Sequence, residues 1–194
     1  MNLNEQINKF KDTLKDKSLS DRDIVHECIS YGTPYVFEGD EIKYFHLKKI
    51  IANHFNLHQN EVIMIGSAKL GFSIKPKQKY QPFNDESDID MVLISEKIFN
   101  KFWDELYYFN INLIGRSIRD ENNYIKFCEY FFRGWVRPDL LPPSFEGTSN
   151  WFNFFKSISH KKFGERKISG AIFRNYEFFD NYHISNINIM RKRS

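Results

Sequence analysis

Two aspartates separated by one isoleucine, Asp88-Ile89-Asp90, lead into an apolar run, Met91-Val92-Leu93-Ile94. In an extended strand, residues two apart share a face. Both carboxylates are therefore expected on one side and Ile89 on the other. Carboxylates held side by side repel unless a cation stands between them. Hard oxygen ligands in that arrangement suit Mg²⁺ or Mn²⁺; Mg²⁺ commonly takes one or two carboxylates together with substrate phosphates. Upstream, Gly66-Ser67 closes a second apolar run, Val62-Ile63-Met64-Ile65. A glycine after a strand lets the backbone approach a ligand closely. A small hydroxyl residue opening a helix offers Ser67 Oγ and free N–H groups to a phosphate. Lys69 and Ser87 flank these elements, and with Gly66 and Ser67 they are the candidate residues for that phosphate. Together the parts make a cradle for a metal–triphosphate. An Asp-x-Asp or a Gly-Ser alone is commonplace; the two joined to successive apolar strands are not.

The elements that must hold them are few strands and many helices. Leu3, Ile7, Phe10 and Leu14 recur at helical spacing. Ser20 is placed to cap a second helix carrying Ile24, Val25, Cys28 and Ile29, ended by Gly32. Asp40 is placed to cap a third, with Leu47, Ile50, Ile51 and Phe55 on one stripe. Residues 61–65 and 88–94 read as strands, and the Pro-containing stretch 74–87 between them as a loop. Ser95 and Asp120 are placed to cap two further helices, rich in aromatic residues expected in the core. Pro138, Pro142 and Pro143 break the chain after them. A short helix around Trp151, a third strand over 166–173 and a last helix over 176–190 complete the chain. The expectation is an α+β fold with a small mixed sheet. A helical segment over 1–60 and a core over 61–194 should form one unit.

The stretch Ile65-Gly66-Ser67-Ala68-Lys69-Leu70-Gly71-Phe72-Ser73, followed by Ser87-Asp88-Ile89-Asp90-Met91-Val92-Leu93-Ile94, resembles the signature of the DNA-polymerase-β-like nucleotidyltransferase superfamily. The resemblance covers residues 61–95. It implies that Gly66 and Ser67 hold the β- and γ-phosphates of a nucleoside triphosphate (NTP). It implies that Asp88 and Asp90 bind two Mg²⁺ ions, for transfer of a nucleoside monophosphate to RNA, a protein or a small molecule. Two departures stand out. The interval from Ser67 to Asp88 is long and contains Lys75, Lys77, Lys79 and Tyr80. The third acid that active relatives carry on a later strand is missing from 166–173. Asp139 is the first nominee for that role and Glu177 the second. If neither stands near Asp88 and Asp90, a nucleotide-binding subunit acting through a partner takes precedence. Small bacterial members of the superfamily occur in toxin–antitoxin and phage-defence systems, so that setting is implied too.

The remaining chemistry is sparse. The six histidines lack metalloprotease spacing, and His54 and His58 read as surface residues. Cys28 and Cys128 sit in helical patterns and read as two buried thiols rather than a disulfide or metal site. Arg133-Gly134-Trp135-Val136-Arg137 pairs two arginines with an aromatic, as a stacking site or a helix end. Over 194 residues the net charge is +3, too small to demand a nucleic-acid partner. Basic clusters occur at Lys75/Lys77/Lys79, at Lys161/Lys162 with Arg166/Lys167, and at Arg191-Lys192-Arg193. Aromatic residues make up 17% of the chain, which argues for a packed core and against disorder. No apolar run is long enough for a bilayer, and the first residues lack a secretion pattern. A cytoplasmic protein with no membrane partner is the expectation.

Overall fold

In the computed structural model, residues 2–111, 118–141, 145–159 and 161–192 are described. His160, Pro142, Pro143 and Arg193 lie outside them. Helices start where short polar side chains satisfy the first free N–H groups. Asn2 and Glu5 form a reciprocal capping box at the head of α1 (Leu3–Lys15), and Ser20 and Asp23 do the same for α2 (Asp21–Val25). Asp40 accepts from the Lys43 N–H to open α3 (Glu41–Phe55). Ser95 Oγ accepts from the Ile98 N–H, 3.3 Å away, at the start of α5 (Glu96–Ile111). Asn175 caps α8 (Tyr176–Arg191) in the same way. α4 is one short turn, Gly66–Leu70. α6 runs Ile118–Phe132 and α7 Glu146–Ile158. Because α6 begins at Ile118, Asp120 lies inside its first turn instead of capping it. α2 continues as a π-helical turn, His26–Ser30, in place of the single regular helix expected.

The fold is α+β with a four-stranded mixed sheet. Its strands are β1 (Val62–Ile65), β2 (Ile89–Ile94), β3 (Trp135–Val136) and β4 (Ile168–Phe173), in the order β1-β2-β4-β3. β1 is antiparallel to β2, β2 parallel to β4, and β3 antiparallel to β4. β3 was not expected: two residues carry no periodicity, and the sequence there reads as a helix end.

Helices cover both sheet faces. One hydrophobic cluster joins Ile89, Met91, Leu93, Ile168 and Ile172 to residues of α3, α5, α6 and α7. The other joins Val92, Ile94 and Phe173 to α1, α2 and α8. α7 presses directly on β4: a Cβ on Gly170 would overlap the Phe155 ring, and Trp151 Nε1 donates to the Gly170 carbonyl at 3.1 Å. Residue 170 is glycine because the Phe155 ring occupies the place of a side chain.

The last helix is tied to the first two. Arg191 donates to the Leu14 carbonyl at 2.9 Å, to the Leu19 carbonyl at 3.0 Å and to Asp21 at 2.7 Å. Asp180, buried in α8, takes Arg22 at 3.1 Å and His26 at 3.2 Å. Arg191 therefore belongs to a structural staple and not to a free basic tail.

Several aromatic residues expected in the core are exposed. Trp103 is 57% exposed, Phe132 92% and Phe152 43%. On α5 the inward stripe is Ile98, Phe99, Phe102 and Leu106. Trp103 falls beside it and stacks on Phe131, with centroids 5.3 Å apart. Cys128 is also exposed, since Phe127 takes the inward position next to it, while Cys28 is half-buried; both thiols are free. Burial pushes the Cys28 thiol up to about 11, so it stays protonated. Among the described residues, no helix is long and apolar enough to cross a membrane.

Candidate functional site

The antiparallel β1/β2 ladder sets Ile65 opposite Asp90. The next residue, Gly66, therefore arrives beside the Asp90 side chain. Gly66 has φ +72°, a conformation that costs an L-residue with a Cβ about 1–2 kcal/mol. A Cβ there would lie 3.1 Å from Asp90 Oδ2. Ser67 follows in the first turn of α4, half-buried, and its carbonyl accepts the Gly71 N–H at 2.8 Å. Among the described residues, none hydrogen-bonds to the Ser67 hydroxyl. The glycine, the hydroxyl and the second acid of the expected cradle are thus gathered at one end of β1 and β2.

The other neighbour of β2 is β4, running parallel with Asp90 opposite Ser169. Ser169 Oγ donates to Asp90 Oδ1 at 2.8 Å. Two residues earlier, the Lys167 ammonium meets Asp88 Oδ2 at 3.0 Å. The Ile89 N–H donates to the Lys167 carbonyl at 2.9 Å, which fixes that alignment. Each acid therefore receives one donor from the same neighbouring segment. Asp88 Oδ1 and Asp90 Oδ2 accept no hydrogen bond from a described residue. Ile89 is buried in the cluster on the opposite face, as the alternation requires.

Compared with family models, curated proteins and solved structures, this chain matches none. The reading of the site consequently stands on its own geometry. Among the described residues, Asp88 Oδ1 and Asp90 Oδ2 are the oxygens of this pair left without a donor, both of them hard ligands, and the Gly66 backbone lies close beside Asp90 Oδ2. Lys167 already acts as a stand-in cation on the other acid. These features fit Mg²⁺ or Mn²⁺. Among the described residues, no group of three or more Asp, Glu, His or Cys is arranged to hold a metal. The pair remains a pair.

Asp139 does not complete it. It is exposed on a short 3₁₀ turn, Pro138–Leu140, where Arg137 holds its carboxylate at 2.6 Å and 3.2 Å. Glu177 stands toward the opposite end of the sheet. It sits in the first turn of α8, beyond the C-terminal end of β4, while Asp88 precedes the N-terminal end of the parallel β2. At ~3.3 Å per strand residue, the six-residue strand separates those ends by roughly 20 Å.

Lys69 is buried, and its ammonium donates to the Gly32 carbonyl at 2.6 Å and also to that of Tyr31. Burial pushes it down to about 8. Two of its three donors thus hold the turn after the π-helix. Ser87 Oγ is likewise engaged, donating to Asn84 Oδ1 at 3.0 Å and accepting from the Asn84 N–H at 3.1 Å.

The long interval before Asp88 is a folded-back loop. Phe72 bridges Pro82, and the Ser73 N–H donates to Gln81 at 2.8 Å. Lys75 and Lys77 are exposed on it, and Lys79 lies over its neighbour Tyr80 at 5.1 Å. Arg166 pins the far end of the loop. It donates to the Asn84 carbonyl and, at 2.9 Å, to Asp85, with its guanidinium 4.6 Å from the Phe83 ring centre. Arg137, one of the two arginines of the expected stacking site, lies over Tyr130 and Trp135 of its own chain, at 5.0 and 5.5 Å. Arg174 pairs with Glu96 at 2.7 Å.

Lys167 and Ser169 are the site residues that sequence reasoning missed. Their signal was conditional: a strand over 166–173 sets them beside Asp88 and Asp90 only once it is aligned in parallel with 88–94, a pairing that local sequence does not specify.

Proposed function

We propose that this protein binds a nucleoside triphosphate with a divalent cation, in the manner of the nucleotidyltransferase superfamily that its motif resembles. The observation that carries this reading is the meeting of Gly66 with Asp90, which unites a phosphate-suited turn and a metal-suited acid in one place. Gly66 and Ser67 receive the triphosphate tail, Ser67 through its hydroxyl and the N–H groups behind it. Asp88 and Asp90 hold the cation. When bound, that cation neutralises phosphate charge and lowers the barrier to in-line displacement at phosphorus. The chain's own residues position the phosphates. With two acids sufficient, the activity is transfer of a nucleoside monophosphate to RNA, a protein or a small molecule.

A second reading is favoured by what stands beside the acids. The neighbouring strand supplies Lys167 and Ser169 where a third carboxylate would be wanted to activate an acceptor hydroxyl. That arrangement suits a nucleotide-binding subunit with weakened catalysis, acting through a partner protein, as in a toxin–antitoxin or phage-defence system. Incubation of the protein with each labelled NTP and Mg²⁺ or Mn²⁺ in cell extract separates the two. Label on RNA, protein or a small product supports transfer. Label retained only as reversibly bound NTP supports the binding subunit. Neither binding nor transfer contradicts both.

A further inference from the structure

Asp88 has a cation on it already. Lys167 Nζ stands 3.0 Å from Asp88 Oδ2, and this ammonium comes from the chain itself. The placement is set by the fold: Lys167 directly precedes β4, and its carbonyl is bonded to the Ile89 N–H at 2.9 Å. The ammonium is therefore delivered to Asp88 whenever the β2/β4 pairing forms. The side chain is 69% exposed and that of Asp88 40% exposed, so the pair is breakable, on a stem free to swing away. Asp90 is treated differently: among the described residues, its side chain receives only the neutral Ser169 hydroxyl.

We propose that Lys167 is the built-in counter-ion of Asp88 and competes with the divalent cation for it. The acid pair then accepts a metal on both carboxylates only as the ammonium gives way. Without the ammonium, Asp88 and Asp90 would repel one another in the metal-free protein. With it, the pair is tolerated, and metal affinity is held below what two free carboxylates would provide. Lys167 acts through Asp88 and is thus a positioning residue. This inference rests on the metal-site reading given above.

The test is calorimetric titration of the protein with Mn²⁺ alone, without nucleotide. Lys167→Gln should tighten Mn²⁺ binding about two- to fivefold, the range an exposed ion pair spans. Lys167→Arg, which keeps a cation on Asp88, should stay near the wild type. Lys97→Gln, a charge-matched change beyond the opposite end of β2, should leave the affinity unaltered, which distinguishes contact from net charge. If Asp90→Asn removes Mn²⁺ binding yet Lys167→Gln leaves it unchanged or weaker, the counter-ion role is wrong while the metal site stands. A Lys167→Gln effect on thermal unfolding alone has the same meaning: the pair is only a tie between strands. If Asp90→Asn binds Mn²⁺ like the wild type, the metal-site reading itself fails, and this inference with it.

Discussion

Gly66 and Asp90 approach so closely that one added methyl group on Gly66 would lie 3.1 Å from Asp90 Oδ2. The turn after β1 and the acid of β2 are thereby locked into a single unit. The contact is tighter than ordinary packing, and the Gly66 φ of +72° adds backbone strain for any residue with a side chain. Gly66→Ala should lower folding stability by about 1–2 kcal/mol. It should also weaken Mg²⁺-dependent NTP binding by about tenfold or more, because the carboxylate must move. Denaturant unfolding and calorimetry check the two effects separately. Full NTP affinity in the alanine variant would show that this meeting point is not the binding site.

Ser67 should act on the phosphates and be blind to the base. A hydroxyl and backbone N–H groups suit phosphate oxygens and cannot read base edges from the head of α4. Ser67→Ala should therefore weaken ATP, GTP, CTP and UTP by a similar factor, about 1–2 kcal/mol for a lost bond to a charged group. Loss confined to one base would place Ser67 against the base instead.

His183 gives the fold a dependence on pH that is separate from the site. It is 4% exposed, packed against Phe173, Phe179 and Tyr182, and neither ring nitrogen has a hydrogen-bond partner among the described residues. Burial alone pushes its pKa from 6.5 down to about 4. The folded protein therefore keeps it neutral, while the unfolded chain takes up the proton first as pH falls. Stability should decline from about pH 6.5 to about pH 4 and level off below, by about 3 kcal/mol from this group. His183→Leu should remove that part of the slope. Urea unfolding of both proteins at pH 7.5 and pH 4.5 measures it, and equal losses in the two would contradict the assignment.

The parts of the site written in local sequence were legible. Gly66-Ser67 and Asp88-Ile89-Asp90 announce themselves because each is a short pattern attached to an apolar strand. The capping residues Ser20, Asp40 and Ser95 were legible for the same reason. Lys167 and Ser169 were not, because their place beside the acids depends on a parallel pairing between strands some 80 positions apart. Asp139, the first nominee for the third acid, is instead taken up by Arg137 two positions earlier, a local pairing that sequence alone does not announce. The partners of Lys69 were hidden from local sequence too, since the carbonyls that engage it belong to Tyr31 and Gly32, far back in the chain. Cys128 and Trp103 each sit one position beside an inward residue, and a step of one on a helix turns a side chain by about 100°.

The most direct test of the central claim is calorimetric titration of an NTP into the protein with and without Mg²⁺, in the wild type and in the Asp88→Ala/Asp90→Ala double variant. Circular dichroism serves as the control for folding. The account predicts Mg²⁺-dependent binding in the wild type and its loss in a double variant that remains folded, since the change gives up only one exposed ion pair to Lys167 and one hydrogen bond from Ser169. Unchanged, Mg²⁺-dependent NTP affinity in the folded double variant would contradict it.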